Sequence, residues 1–145
     1  MSAEAVELVR AIHPGPDVDL VPLVNDDEAC VRWGELFGHL FDRSFQGTIR
    51  FPGMAPVTFL GLDGLRNVWR AWLSHWASFH VEIEDVIDSG AFVVVVNRCH
   101  GRHLPDAPAE TLGRTVLWTV RDGHIMCVDF HVPHTQALAM AGLSQ

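Results

Sequence analysis

The run "AFVVVVNRCHG" (Ala91–Gly101) restricts the possible folds more than any other part of the chain. It is β-branched and continuously apolar at its centre, the pattern of a strand covered on both faces. The segment before it, His80–Asp88, alternates as a strand does. After it come "HLPDAPAE", a proline-broken loop, and strands expected at about Thr111–Val120 and His124–Val132. "HTQALAMAGL" reads as a short helix after these strands. Cover for such a sheet has to come mainly from the first half of the chain.

That half carries helical spacing. Ser2 can cap a helix presenting Ala5, Leu8, Val9 and Ile12 on one side, and "HPGPD" (His13–Asp17) stops it. Asp26 or Asp27 can cap a second, with Trp33, Leu36, Phe37 and Leu40 at core spacing. "FQGTIRFPG" looks like a short strand entering a turn. Asp63 can open a third helix reaching about Ser78. At ~100° per residue its Leu65, Val68, Trp69, Trp72, Trp76 and Phe79 share one face, with His75 at the edge. Helices leading into an antiparallel meander make an α+β domain. With no repeat or linker, residues 1–145 are expected to form one domain.

Hydrophobic residues make up 48%, with five Trp and eight Phe, so the chain is not a disordered one. A net charge of −8 argues against nucleic acid or an anionic membrane as partner. The acidic start lacks the basic segment and apolar run of a signal peptide, and no apolar run is of membrane-spanning length. Cys30, Cys99 and Cys127 are widely spaced, without C-x-x-C. The expectation is a reduced cytoplasmic protein without a cofactor.

Taken in order, "SAEAVELVRAI", "FLGLDGLRNVWRAWLSHW", "VEIEDVIDSGAFVVVV", "VLWTVRDGHI" and "HTQALAMAGL" resemble SnoaL-like proteins of the nuclear transport factor 2-like superfamily. The resemblance covers nearly the whole chain. It implies a cone-shaped α+β barrel: helices packed in a strongly curved antiparallel sheet, with a pocket between them. It implies no single function, because the superfamily holds isomerases, dehydratases, epoxide hydrolases, polyketide cyclases, binding proteins and assembly domains.

The hairpin centred on Asp122-Gly123 predicts which residues face that pocket. Without a bulge, Arg121 pairs with His124, Trp118 with Cys127 and Val116 with Asp129. Arg114, Val116, Trp118, Cys127, Asp129 and His131 then share the convex face, where many similar proteins dimerise. Thr115, Leu117, Thr119, Met126, Val128 and Phe130 share the more apolar concave face. The resemblance likewise implies pocket positions at Val128, Phe130 and Val132. Asp129 and His131 can be read as an acid/base dyad, but this register turns them away from the pocket towards a homodimer interface. A bulge in the last strand would reverse that argument.

The resemblance also implies a pocket carboxylate in the hydrolases and isomerases. The matching positions here hold Phe51 (ketosteroid isomerase-like base), Phe130 (epoxide hydrolase-like acid) and Pro133 (polyketide cyclase-like aspartate). None of them transfers a proton. The remaining polar candidates are His75, as acid/base or as a packing residue, and Asn97, as a ligand contact or a solvated strand end. Trp33, Phe37, Trp72 and Val95 complete the expected pocket with Phe51. "HGRH" and "HVPH" lack a recognised zinc spacing, so no metal is expected. Two readings are open: a small-molecule protein binding or transforming an apolar ligand such as a ring compound, or a non-catalytic dimeric assembly module whose cavity is filled. A cavity of ~300 Å³ or more favours the first.

Overall fold

The computed structural model describes residues 2–50, 53–90 and 92–143. Helix α1 (Ser2–Ile12) is followed by α2 (Leu20–Asn25) and α3 (Asp27–Phe37). A 3-10 turn at Gly38–Leu40 leads into β1 (Phe41–Ile49), then β2 (Val57–Leu60) and α4 (Gly61–Leu73). Four long strands come next, β3 (Ser78–Asp88), β4 (Phe92–Arg102), β5 (Glu110–Arg121) and β6 (His124–Val132), and then α5 (His134–Met140). The expected α+β class and curved sheet are borne out. The sheet is unclosed, with strand order β2-β1-β6-β5-β4-β3. Its meander is antiparallel, but β1 joins β6 in parallel. Among the described residues, no helix is long and apolar enough to cross a membrane.

Caps set the helix starts. Asp26 accepts a hydrogen bond from the Ala29 amide at 3.1 Å, as its N-cap position before α3 predicts. Asp19 caps α2 by accepting from Val21 N at 3.1 Å, and it also accepts from Phe79 N at 3.0 Å, tying α2 to β3. Helix α2, which contains Pro22, was not among the expected elements. Pro22 lies in the first turn, where its missing N–H costs no helical bond. Helix α4 ends at Leu73 rather than near Ser78, so Trp76 and Phe79 reach the core from the turn and the start of β3.

The hairpin turn itself is as expected: Asp122 and Gly123 both have positive φ, and Arg121 pairs with His124. Two bulges in β6 alter the pairing beyond the turn. Val120 pairs with Ile125 but Thr119 with Cys127, so Met126 is the extra residue. Leu117 pairs with Asp129 and Thr115 with Val132, a second irregularity. The first slides β5 by one residue relative to the expected register. Val116 and Trp118 therefore face the helices, both 4% exposed, in one core with Val128 and Phe130. Thr115 and Leu117 face outwards with Val132, and Thr119 pairs with Cys127 on that side. Helix α5 packs on β5 and β4 there, with Thr115 Oγ1 3.3 Å from His134 Nδ1.

Gly47 lies between two bulky neighbours in the sheet, Phe59 of β2 and Val128 of β6. A Cβ at Gly47 would stand 2.7 Å from Val128 Cγ1 and closer still to the Phe59 ring. The ring covers the glycine, and the strand needs the missing side chain. Gly47→Ala should destabilise the fold by about 1–3 kcal/mol through overpacking. Gly113→Ala, with nothing within 4 Å of its Cβ position, should change stability by about 1 kcal/mol or less. Urea unfolding of both variants checks the contrast.

Candidate functional site

Between the helices and the concave sheet lies a cavity of about 550 Å³. The end of α1 contributes Ile12, His13 and Pro14, and α2 contributes Leu20, Leu23 and Val24. Cys30, Trp33 and Phe37 line it from α3, and Leu62, Leu65 and Trp69 from α4. Phe41, Trp118 and Phe130 form its floor. Arg66 stands at the rim, donating from Nε to Val24 O at 3.0 Å and from Nη2 to Asp27 Oδ1 at 2.7 Å. It ties α4 to the end of α2 and the start of α3, holding the wall in place. The lining is mostly apolar, and its one carboxylate, Asp63, is exposed.

His13 is the titratable group inside. Its Nδ1 lies 2.7 Å from Val9 O. A carbonyl only accepts, so Nδ1 carries the proton and Nε2 is left as an acceptor. Burial pushes the imidazole below its ordinary 6.5; the bond to Val9 opposes this and the charge of Arg10 adds to it. The ring meets the edge of Trp118 at 5.8 Å between centroids. The indole Nε1 of Trp118 is buried without a hydrogen-bond partner among the described residues.

A smaller recess of about 60 Å³ adjoins the cavity, sharing His13, Pro14, Leu20, Trp69 and Phe130 with it. Asn97 and Arg114, register partners on β4 and β5, border this recess. Asn97 is 4% exposed, and its Oδ1 has no hydrogen-bond partner among the described residues. Arg114 donates from Nη1 to its neighbour's carbonyl, Gly113 O, at 2.9 Å, and no carboxylate pairs with it among the described residues. Cys99, also at the recess, has its thiol pushed up to about 11, chiefly by burial, and is not a nucleophile near neutral pH.

Of the expected pocket residues, Trp33, Phe37 and Phe130 border the cavity. Val95 and Val128 lie in the core beside it. Trp72 packs on Trp76 and Phe79, away from it. Leu117 and Thr119 are on the outer face, and Met126 is the bulged residue. Phe51 lies outside the described residues. His75 is exposed beyond the end of α4, and its carbonyl accepts from His103 Nδ1 at 2.7 Å. The early end of α4 thus removes it from the site. The expected convex set also divides. Arg114, Val116 and Trp118 face inwards, whereas Cys127 and Asp129 face outwards, with Asp129 Oδ1 3.4 Å from Arg50 Nη2. The side chain of His131 lies outside the described residues. Trp118, whose exposure motivated the dimer, is in the monomer's own core.

Sequence reasoning missed His13, which it read only as part of a helix stop. Its signal was the four-residue spacing from Val9, on the buried side of α1. Because its folded pKa lies below 6.5, the unfolded chain binds its proton first. The stability this gives is full above 6.5 and is lost as pH falls from there through the lower folded pKa. The charge of Arg10 acts in the same direction. Asp27 and Asp42, held below 3.8 by Arg66 and Ser44 respectively, lose their contribution only at lower pH. Between pH 7.5 and 5 the wild type should therefore lose more stability than His13→Gln, as measured by urea unfolding.

Comparison with known proteins agrees with this architecture. Among curated proteins, no sequence matches the chain. A candidate SnoaL-like polyketide cyclase from Jannaschia sp. CCS1 superposes with a TM-score of 0.64 at 17% identity, over 97% of this chain and 92% of its own. TerC, co-crystallised with polyporic acid, gives 0.64 at 15% identity, over 96% and 98%. A phenazine biosynthesis-related protein of Pseudomonas aeruginosa gives 0.56 at 15%, over 99% and 84%. At these identities the likeness is one of fold. Residues 35–128 match the SnoaL-like domain family, from the end of α3 to the middle of β6, and the chain belongs to that family.

Proposed function

We propose that this chain is a small-molecule protein that takes an apolar, ring-shaped ligand into the cavity between α1–α4 and the sheet. The observation that carries the reading is the volume of about 550 Å³. That is within the range of small-molecule sites and exceeds what a core filled by its own aromatic residues would leave. The lining supports it, since aromatic and aliphatic walls with a few polar groups suit an apolar body of defined orientation. TerC, which shares this fold, was co-crystallised with polyporic acid, and this supports a small-molecule reading. A module with a filled interior is the weaker reading for the same reason of volume.

The site does not by itself define a reaction. No buried carboxylate borders the cavity among the described residues, so the candidate general base inside it is His13, whose burial disfavours the charged form. A protein that binds and one that transforms its ligand would use the same walls.

Fused or substituted aromatic compounds should raise the melting temperature. Saturation at about 100 times Kd corresponds to about 2.7 kcal/mol, or about 5–10 °C for a chain of this size. Leu65→Trp, which fills the cavity from α4, should abolish the shift while leaving the unliganded protein folded. His75→Gln and Asp129→Asn, both away from the cavity, should leave it unchanged. No shift from any ring compound, or one that survives Leu65→Trp, would remove the proposal.

A further inference from the structure

The recess beside the cavity has a composition that the apolar walls do not explain. We propose that it is a recognition site for an acidic hydroxyl, a phenol or an enol, on the ligand. The inference rests on the proposed ligand site and specifies the ligand's chemistry.

Three groups carry it. Asn97 is 4% exposed and its Oδ1 is buried without a partner, an arrangement that costs stability unless a donor is supplied. His13 borders both spaces and has Nδ1 committed to Val9 O, so in the neutral ring Nε2 is an acceptor. Arg114 faces Asn97 across β4 and β5, half-buried and without a carboxylate among the described residues. Its guanidinium retains donors beyond the one given to Gly113 O, and it favours partial negative charge on an oxygen.

The buried acceptor Asn97 Oδ1 decides between ligand classes. A carboxylate could pair with Arg114 but has no proton to give and would leave Asn97 Oδ1 without a donor. A carbonyl has the same defect. An apolar end would leave all three groups unmatched. A hydroxyl both donates and accepts: its O–H satisfies Asn97 Oδ1, and its oxygen receives from Arg114. Acidity strengthens both bonds, since a phenol or enol is a better donor than an alkanol and its oxygen tolerates more negative charge beside a cation. The recess, at about 60 Å³, holds a group of this size but not a ring. The ring then occupies the main cavity, beside Trp69 and Phe130, which line both spaces.

The test compares three probes of one shape, 2-naphthol, 2-methylnaphthalene and 2-naphthoate, by fluorescence titration on wild type, Asn97→Leu and Arg114→Met. In the wild type 2-naphthol should bind about tenfold more tightly than 2-methylnaphthalene, the worth of one or two hydrogen bonds in a buried site. Each variant should cut that preference to about threefold or less while keeping its affinity for 2-methylnaphthalene. Retained binding of 2-methylnaphthalene also shows that the variant is folded. If one variant fails to fold, the other decides the matter. Equal binding of the two neutral probes to wild type overturns the hydroxyl site but leaves the ligand cavity standing. Tighter binding of 2-naphthoate than 2-naphthol overturns it in favour of an anion site. Binding of none of the three overturns the cavity reading as well.

Discussion

The extra residue at Met126 is the constraint on which the rest of this structure depends. In a regular strand, Ile125 and Val128 would point to opposite faces, since alternation has a period of two. Both are buried in the same core, at 0% and 1% exposure, and only a bulge between them allows that. Its consequence falls on the neighbouring strand: β5 shifts by one residue, and Trp118 turns from the outer face to the floor of the cavity. Without the bulge the floor would be Leu117 and Thr119, and the outer face would carry an uncovered indole.

The helices complete the arrangement without filling it. Trp33 packs on Phe37 and Phe41, and Phe41 on Phe45, each pair 4.8–5.6 Å between centroids, so the aromatic residues of α3 and β1 satisfy one another at the cavity's side. At the other end Trp72, Trp76 and Phe79 form a second cluster, with His103 stacked on Trp76 at 3.9 Å. The space between these clusters is spanned by α2 and α3, which Arg66 holds to α4. Two separate aromatic cores and a clamp at the rim leave room in the middle that one continuous core would have closed.

Much of the fold was legible, because long periodic segments carry their own assignment. The buried run of β4, the alternation of β3 and the Asp122-Gly123 turn all lie where their residues predict. The site was less legible, for identifiable reasons. Faces were assigned by counting from the turn, and a single bulge defeats a count; the apolar pair Ile125 and Val128, three apart, was the available warning. Helix α2 is six residues long, too short for a helical period to stand out. His75 was placed by extending a helix past its true end at Leu73, whereas His13 was overlooked because a histidine before Pro14 reads as the end of a helix, although it lies one turn beyond Val9. Asn97 was identifiable because it continues the apolar parity of Val93 and Val95 into the cavity side of β4.

The absence of an internal carboxylate among the described lining residues also has a physical meaning. The chain carries a net charge of −8, so its surface repels anions at range, although salt screens this beyond about 8 Å. Inside, burial disfavours the charged form of His13, and Arg114 is the charged group at the recess. A neutral ligand crosses the negative exterior without penalty and passes Arg66, which is paired with Asp27 at the rim. An anion gains at Arg114 but loses on approach, and brings no proton for Asn97 Oδ1. The long-range field and the buried acceptor Asn97 Oδ1 both favour the proposed ligand, one that arrives uncharged and presents an acidic proton to that acceptor.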